Sequence, residues 1–283
     1  MSSRSTIGGR RRGRVLPGFG LSLGITLSYL SIIVLAPIAA LVWKAGDAGL
    51  VELWAGISSP RALDTYRLTL GTALAATAFN AVVGFLLAWV LVRYQFPGRR
   101  LLDAVVDLPF ALPTAVAGIA LSAIFAPTGW AGALLEPHGI KVAYAPAGIA
   151  VAMAFTSIPF VIRSLQPVLE DLEPEVEEAA FSLGAGDLAV FRRVLVPALL
   201  PAFLSGCALA FSRALGEFGA IIFIAGNIPG ETEVTTLLTF IRLEEFDYPG
   251  AAGLSVAMLA MSFSLLFLVN AIEYWRQRRE DRS

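Results

Sequence analysis

The sequence predicts an all-α integral membrane protein: six transmembrane helices in one bundle, with a helical loop at the cytoplasmic surface. Three observations carry this expectation. Of the 283 residues, 57% are hydrophobic and only 15% charged, whereas a soluble domain is about one quarter charged. The apolar residues gather into six stretches near the roughly 20 residues that cross a hydrocarbon core as helix. Lys and Arg are spread unevenly among the connections. The same composition excludes a disordered chain, which needs low hydrophobicity and high charge. A single cysteine, Cys207, excludes an intramolecular disulfide framework and a Cys-based structural zinc site. A single histidine, His138, excludes a His-pair metal site.

In chain order, a basic tail (1–20) carries Arg10, Arg11, Arg12 and Arg14 ahead of a charge-free first span, 21–43. That apolar run exceeds the roughly 7–15 residues of a signal peptide's h-region, so it reads as an uncleaved helix. The second span, 68–92, is also charge-free. The third, 108–126, is shorter and holds Pro109 and Pro113; the fourth, 145–162, is the shortest and weakest. The fifth, 198–224, is interrupted by Arg213 and Glu217, and the sixth, 251–272, is charge-free. The bundle thus occupies 21–273, and a short tail, 274–283, comes after it.

Cationic residues orient the bundle. With the N-terminus inside, the cytoplasmic segments hold fifteen Lys or Arg and the outer loops five: Lys44, Arg61, Arg67, Lys141 and Arg242. Both termini are therefore expected in the cytoplasm. Trp43, Tyr66, Tyr94, Trp130, Tyr144, Tyr274 and Trp275 fall near span ends, where an interfacial aromatic belt belongs.

Several chemistries are excluded. A phosphate-binding P-loop needs Gly just before its Lys; here Lys44 follows Trp43 and Lys141 follows Ile140. The chain is accordingly expected to be no enzyme and to hold no cofactor of its own. Gly20-Leu21-Ser22-Leu23-Gly24 matches a nucleophile elbow in pattern. An elbow needs a strand-to-helix turn and a His base, but this stretch opens an apolar helix, and the sole histidine belongs to the opposite side of the membrane.

The longest cytoplasmic loop, 163–196, carries six acidic residues among the nine from Glu170 to Glu178. Pro174 suits the first turn of a helix, and the acidic groups after it suit the positive end of the helix dipole. That helix is expected to run to Leu183 and stop at Gly184, the residue best able to take a left-handed cap. Asp187 is expected to cap a second short helix, whose last turn holds Arg192 and Arg193. The loop thus reads as helix, glycine joint, helix. It presents Ala179, Ala180, Phe181, Leu188, Phe191 and Val194, a set suited to docking in a partner's groove.

Glu178-Ala179-Ala180, then Gly184, Val194 and Val196-Pro197, stand at the spacing E-A-A-x3-G-x9-I-x-L-P. This resembles the "EAA" loop of ABC-importer permease subunits, with Val in place of the usual Ile and Leu. The run from Ala210 to Gly219 and Ile222 to Asn227 is similar to permeases of the sulfate/thiosulfate importer, T-component type, within a family shared with molybdate permeases. The resemblance implies a type I ABC-importer permease bundle. It makes Glu178, Ala179, Ala180, Phe181 and Gly184 the element that couples to a separate ATPase. It also implies partners: a second permease subunit, identical or different, a cytoplasmic ATPase dimer that binds the ATP, and an extracytoplasmic sulfate- or thiosulfate-binding protein. No nucleic-acid partner is expected. A molybdate or tungstate importer, or a stand-alone ion-coupled anion carrier, are the competing functions.

Arg213 and Glu217 are four residues apart, which puts them on one face if the helix continues. Charges inside a membrane mark a pathway or a self-neutralising pair. The Arg fork suits a tetrahedral oxyanion, and Ser212, Asn80 and Thr114 are candidate neutral donors. Asp107 is expected at the cytoplasmic interface.

Overall fold

The computed structural model describes residues 19–47 and 49–280, with backbone alone for 268–270 and 272–280. The basic segment 1–18 and residues 281–283 lie outside the described residues.

Thirteen helices are described. The first, α1 (Phe19–Gly46), is long and apolar enough to cross a bilayer and packs chiefly on the last helix. The amphipathic α2 (Leu50–Ile57) comes next. After it, α3 (Pro60–Arg93) runs 34 residues, about 51 Å at 1.5 Å per residue. Ser59 caps it by accepting a hydrogen bond from the Ala62 N–H. Short helices α4 (Arg99–Val106) and α5 (Leu108–Ala111) lead to α6 (Thr114–Phe125). After α7 (Gly132–Leu135) come α8 (Pro146–Asp171), α9 (Pro174–Ser182) and α10 (Asp187–Leu215). The chain closes with α11 (Ile221–Ile224), α12 (Thr235–Glu244) and α13 (Tyr248–Glu280).

The bundle is built on α3, α8 and α10, which pack on one another along their lengths. Small residues permit this: a Cβ on Gly84 of α3 would meet Val161 of α8, and one on Gly206 of α10 would meet Ser164. Without a hydrophobic force between helices in lipid, close approach at small residues supplies the packing. The fourth span, weakest by composition, is the most buried of the candidate spans. Its polar content is tolerated because protein rather than lipid surrounds it.

Among the described residues, five helices are long and apolar enough to cross a membrane: α1, α3, α8, α10 and the first part of α13. The third expected span is instead a broken unit. Pro113 forces Leu112 into extended backbone, and the 12 residues of α6 reach only about 18 Å. The fifth expected span also differs. Its helix starts at Asp187 rather than near residue 198 and ends at Leu215, so the second helix of the loop and the span are one element. A π turn at Phe191–Leu195 joins them, with the Val196 N–H donating to the carbonyl five residues back, at Phe191. The same arrangement recurs in α1, where Ala36 N–H reaches Ser31 O. In both helices the turn precedes a proline, Pro197 or Pro37. Proline lacks the donor for the carbonyl four residues earlier and clashes with it, and the wider turn relieves both.

Candidate functional site

Two regions gather the chemistry: the connection α9–α10 and the point where α10 breaks.

Pro174 is the first residue of α9, as the sequence predicts, and Glu175 and Glu177 occupy its first turn. The helix ends in a Schellman motif. Gly184 has φ +85°; Ala185 N–H donates to Ala180 O (3.1 Å) and Gly184 N–H to Phe181 O (2.9 Å). These two bonds satisfy the last carbonyls and require the left-handed residue that glycine supplies. Asp187 does not cap α10. Gly186 holds the N-cap position, and no side chain bonds there.

The exposed apolar residues of this element are Val176, Phe181, Leu183 and Leu188, with Leu183 the most open at 89%. Glu178, Ala179 and Gly184 are also exposed. Phe191, expected on the docking face, turns inward against Phe85 and Trp89 at centroid distances of 6.3 and 6.0 Å. The extra residue of the π turn rotates it off the exposed side. Sequence reasoning missed the ties that hold this element. Glu177 pairs with Arg93 at the end of α3 (2.6 Å), and Arg93 lies over the Trp89 ring at 5.4 Å.

Beside it, Arg163 of α8 uses its whole fork on α4 and its flank. It donates to Asp107 (2.9 and 2.6 Å), to the Asp103 side chain (2.6 Å) and carbonyl (3.0 Å), and to Gln166 (2.5 Å). Asp103 and Asp107 are four residues apart, the spacing that brings both carboxylates to one side. The Arg163 bond holds the Asp103 carboxyl below its usual range. Asp107 is thus a clamp residue, not merely an interfacial one.

At the other region, α10 stops at Leu215 and Glu217 lies beyond the last turn. The pair nevertheless closes: Arg213 Nη1 is 2.7 Å from Glu217 Oε2. Glu217 is 1% exposed, and its Oε1 accepts the Ala220 N–H (2.9 Å). The carboxylate therefore satisfies both the arginine and the turn that re-enters at α11. Arg213 is one-third exposed and makes no other ion pair or hydrogen bond among the described residues. Twenty residues of helix, about 30 Å, separate it from Arg193.

The break in α10 packs on the break before α6. A Cβ on Gly219 would strike the Thr114 hydroxyl, and one on Gly118 would strike the Ala220 backbone. Thr114 is thereby brought beside the turn that holds Glu217. Asn80 is not. It is fully buried, and its Nδ2 donates to Ala154 O (3.0 Å) and Ser157 Oγ (2.9 Å), tying α3 to α8. Ser212 donates to Ala208 O (2.9 Å) within its own helix, and lines a cavity of about 470 Å³ between α1, α10, α12 and α13.

A further ion pair, not foreseen, joins the half-buried Arg61 at the start of α3 to the buried Glu233 before α12. The contact is bidentate, at 2.8 and 2.6 Å. Beneath it, Thr65, Thr69 and Thr235 bond hydroxyl to hydroxyl (3.1 and 3.3 Å). Each of these residues is an ordinary polar letter in the sequence; only their separation of more than 160 positions hides the cluster.

Comparison with known proteins places this geometry. The profile of the family described as "Binding-protein-dependent transport system inner membrane component" matches residues 80–282. The sulfate transport system permease protein CysT of Salmonella typhimurium (strain LT2) is 54% identical over 92% of this chain and 94% of its own. That of Synechocystis sp. (strain PCC 6803) is 48% identical over 90% and 89%. Among solved structures, a bacterial alginate ABC transporter in complex with its alginate-pentasaccharide-bound periplasmic protein aligns with a TM-score of 0.74 at 15% identity, over 89% of this chain and 92% of the other. The permease fold is therefore shared across this divergence. With profile, relatives and architecture in agreement, the chain belongs to the binding-protein-dependent transport system inner membrane component family.

Proposed function

We propose that this chain is the membrane-spanning permease subunit of an ATP-driven ABC importer for sulfate or thiosulfate. The observation that carries the substrate is the 54% identity, over 92% of the chain, to a sulfate transport permease. Its partners are a second permease, a cytoplasmic ATPase dimer and an extracytoplasmic anion-binding protein. The first 20 residues and the last ten lie in the cytoplasm, flanking a permease domain over 21–273. ATP is bound and hydrolysed by the partner, and this chain supplies the path and the coupling.

The coupling element is α9 with its glycine joint, through Glu178, Ala179, Ala180, Phe181 and Gly184. Its exposed apolar side chains enter the ATPase, and the Arg93 pair and Phe191 carry the displacement into α3 and α10. At the opposite boundary, Arg213 meets the anion. Glu217 holds one arm of the fork and offsets its charge, so the contact is weak enough to release. Thr114 lies close enough to contribute a hydroxyl. The donor groups of Asn80 and Ser212 are already spent on carbonyl and hydroxyl partners, so their contribution is to hold the walls.

The test is uptake of labelled sulfate into vesicles holding the whole transporter with ATP inside and binding protein outside. ATP-dependent uptake that thiosulfate competes with, and molybdate does not, is expected. Preferential displacement by molybdate would replace the substrate, and uptake without the ATPase would replace the mechanism.

A further inference from the structure

The end of α8 carries two loads. Leu172 and Glu173, both in extended backbone, are all that joins it to α9. A chain reaches at most about 3.6 Å per residue, so this link has little slack and a shift of α9 pulls on α8. Arg163 stands eight residues before the end of α8 at Asp171, about 12 Å along the axis. There it grips the unit α4–α5–α6. Nε and Nη2 hold the two oxygens of Asp107, while Nη1 and Nη2 hold the side chain and the carbonyl of Asp103. Four contacts from one planar group fix orientation as well as distance. Among the described residues, every side-chain hydrogen bond between this unit and α8 runs through Arg163 or Gln166. One turn back along α8, Phe160 packs edge-on against Phe110 of α5 at 5.3 Å.

The far end of the same unit bears on the turn that holds Glu217. Leu112 is extended before Pro113, so the helix is interrupted and whatever holds α5 places the start of α6. A Cβ on Gly118 would lie 2.4 Å from the Ala220 carbonyl oxygen, and one on Gly219 would strike Thr114. Close-packed contacts of this kind transmit strain rather than absorb it. The Ala220 N–H in turn holds Glu217, which holds Arg213. We propose, building on α9 as the coupling element, that Arg163 is a positioning residue for transport: it makes α4, α5 and α6 follow the end of α8, so that a displacement of α9 reaches the turn at Gly219 and re-aims Arg213. Two arms then meet at that turn. One is α10, which carries the arginine; the other is α6, which bears on the segment that carries its partner.

The experiment uses vesicles holding the whole transporter, with Cys207 replaced by Ala, and reads sulfate taken up per ATP hydrolysed. Arg163→Gln is expected to lower that ratio about tenfold while ATP hydrolysis continues, a size in the range for a contact that carries coupling. Arg163→Lys keeps the charge but cannot bridge two carboxylates and a carbonyl, so its ratio should fall in between. In the double variant Arg163→Cys with Asp107→Cys, joining the thiols with a short bismaleimide replaces the clamp by a covalent tie. The ratio should recover relative to the same protein unlinked. A wild-type ratio in Arg163→Gln overturns the proposal. So does a linked protein no better coupled than the unlinked one, or a fall of uptake and ATP hydrolysis together in proportion to folded protein, which would make Arg163 a structural tie. A second readout is independent of the anion carried. Spin labels on Leu74→Cys of α3 and Ile119→Cys of α6, both exposed positions, should change their separation on ATP binding, and Arg163→Gln should abolish that change. A change that persists in Arg163→Gln, or is absent from both proteins, overturns the proposal. A clamp-dependent change without sulfate uptake would fault the substrate and leave the joint standing.

Discussion

At the scale of single residues, the polar groups are spent in pairs. Glu217 is the clearest case, since one carboxylate serves both Arg213 and the Ala220 N–H. Removing one member of such a buried pair typically costs roughly 3–5 kcal/mol, because the survivor is left uncompensated. Arg213→Ala should leave a bare buried carboxylate and lower stability most. Glu217→Ala should cost less from charge, since Arg213 reaches solvent, but should loosen the turn into α11. If Arg213 also meets the anion, the double alanine variant recovers stability without recovering sulfate uptake, measured per amount of folded protein. Near wild-type uptake in that variant would reduce the pair to a scaffold. Asp103 gives a pH prediction. Its carboxyl is held low by Arg163, so its contribution is fully present above the ordinary carboxylate pKa of about 4 and is lost as pH falls through the lower folded value. The Tm difference between wild type and Asp103→Asn should therefore be largest near neutrality and shrink in acid. A difference that holds constant down to pH 3 would remove the ion pair as its cause.

At the scale of elements, the joint between α9 and α10 depends on one backbone angle. With φ at +85°, Gly184→Ala should cost about 1–2 kcal/mol. Gly184→Pro should do more, because it fixes φ near −65° and removes the N–H that bonds Phe181 O. Both should lower uptake while the span helices still insert, and Gly184→Pro should also weaken co-purification with the ATPase. Full uptake in Gly184→Pro would separate this joint from coupling. The π turns make a similar point about helices. A proline within a continuing helix, Pro197 or Pro37, is accommodated by a wide turn just before it. In α10 that turn also decides which side Phe191 takes.

At the scale of the whole molecule, the three helices α3, α8 and α10 form the core, and α1 rests on α13 at the outside. The unequal distribution of cations is the basis of the proposed orientation, with both termini in the cytoplasm. With Cys207 replaced by Ala, a cysteine introduced at position 185 should react with an impermeant maleimide only in inverted vesicles. Labelling from outside intact cells would reverse the topology. The short α6 and the end of α10 meet far from the joint between α9 and α10, and a continuous α10 of 29 residues connects the two.

The amino-acid sequence by itself determined the features that local chemistry and solvent impose. Hydropathy located the spans, because lipid forces each stretch to satisfy its own backbone. Pro174 and Gly184 marked the ends of α9, because their backbone limits are intrinsic. The motif spacing carried the family. Tertiary structure decided the features that depend on partners distant in the chain. Arg61 and Glu233, Arg163 with Asp103 and Asp107, and Arg93 with Glu177 pair across 56 to 172 positions or between separate helices, and nothing local in the sequence ties one partner to the other. The third span breaks at Pro113, and beyond Leu215, where α10 ends, the turn at Gly219 packs against Thr114. Only protein around a helix end can satisfy the backbone groups that a break exposes inside a membrane, so the length of those helices was a property of their neighbours.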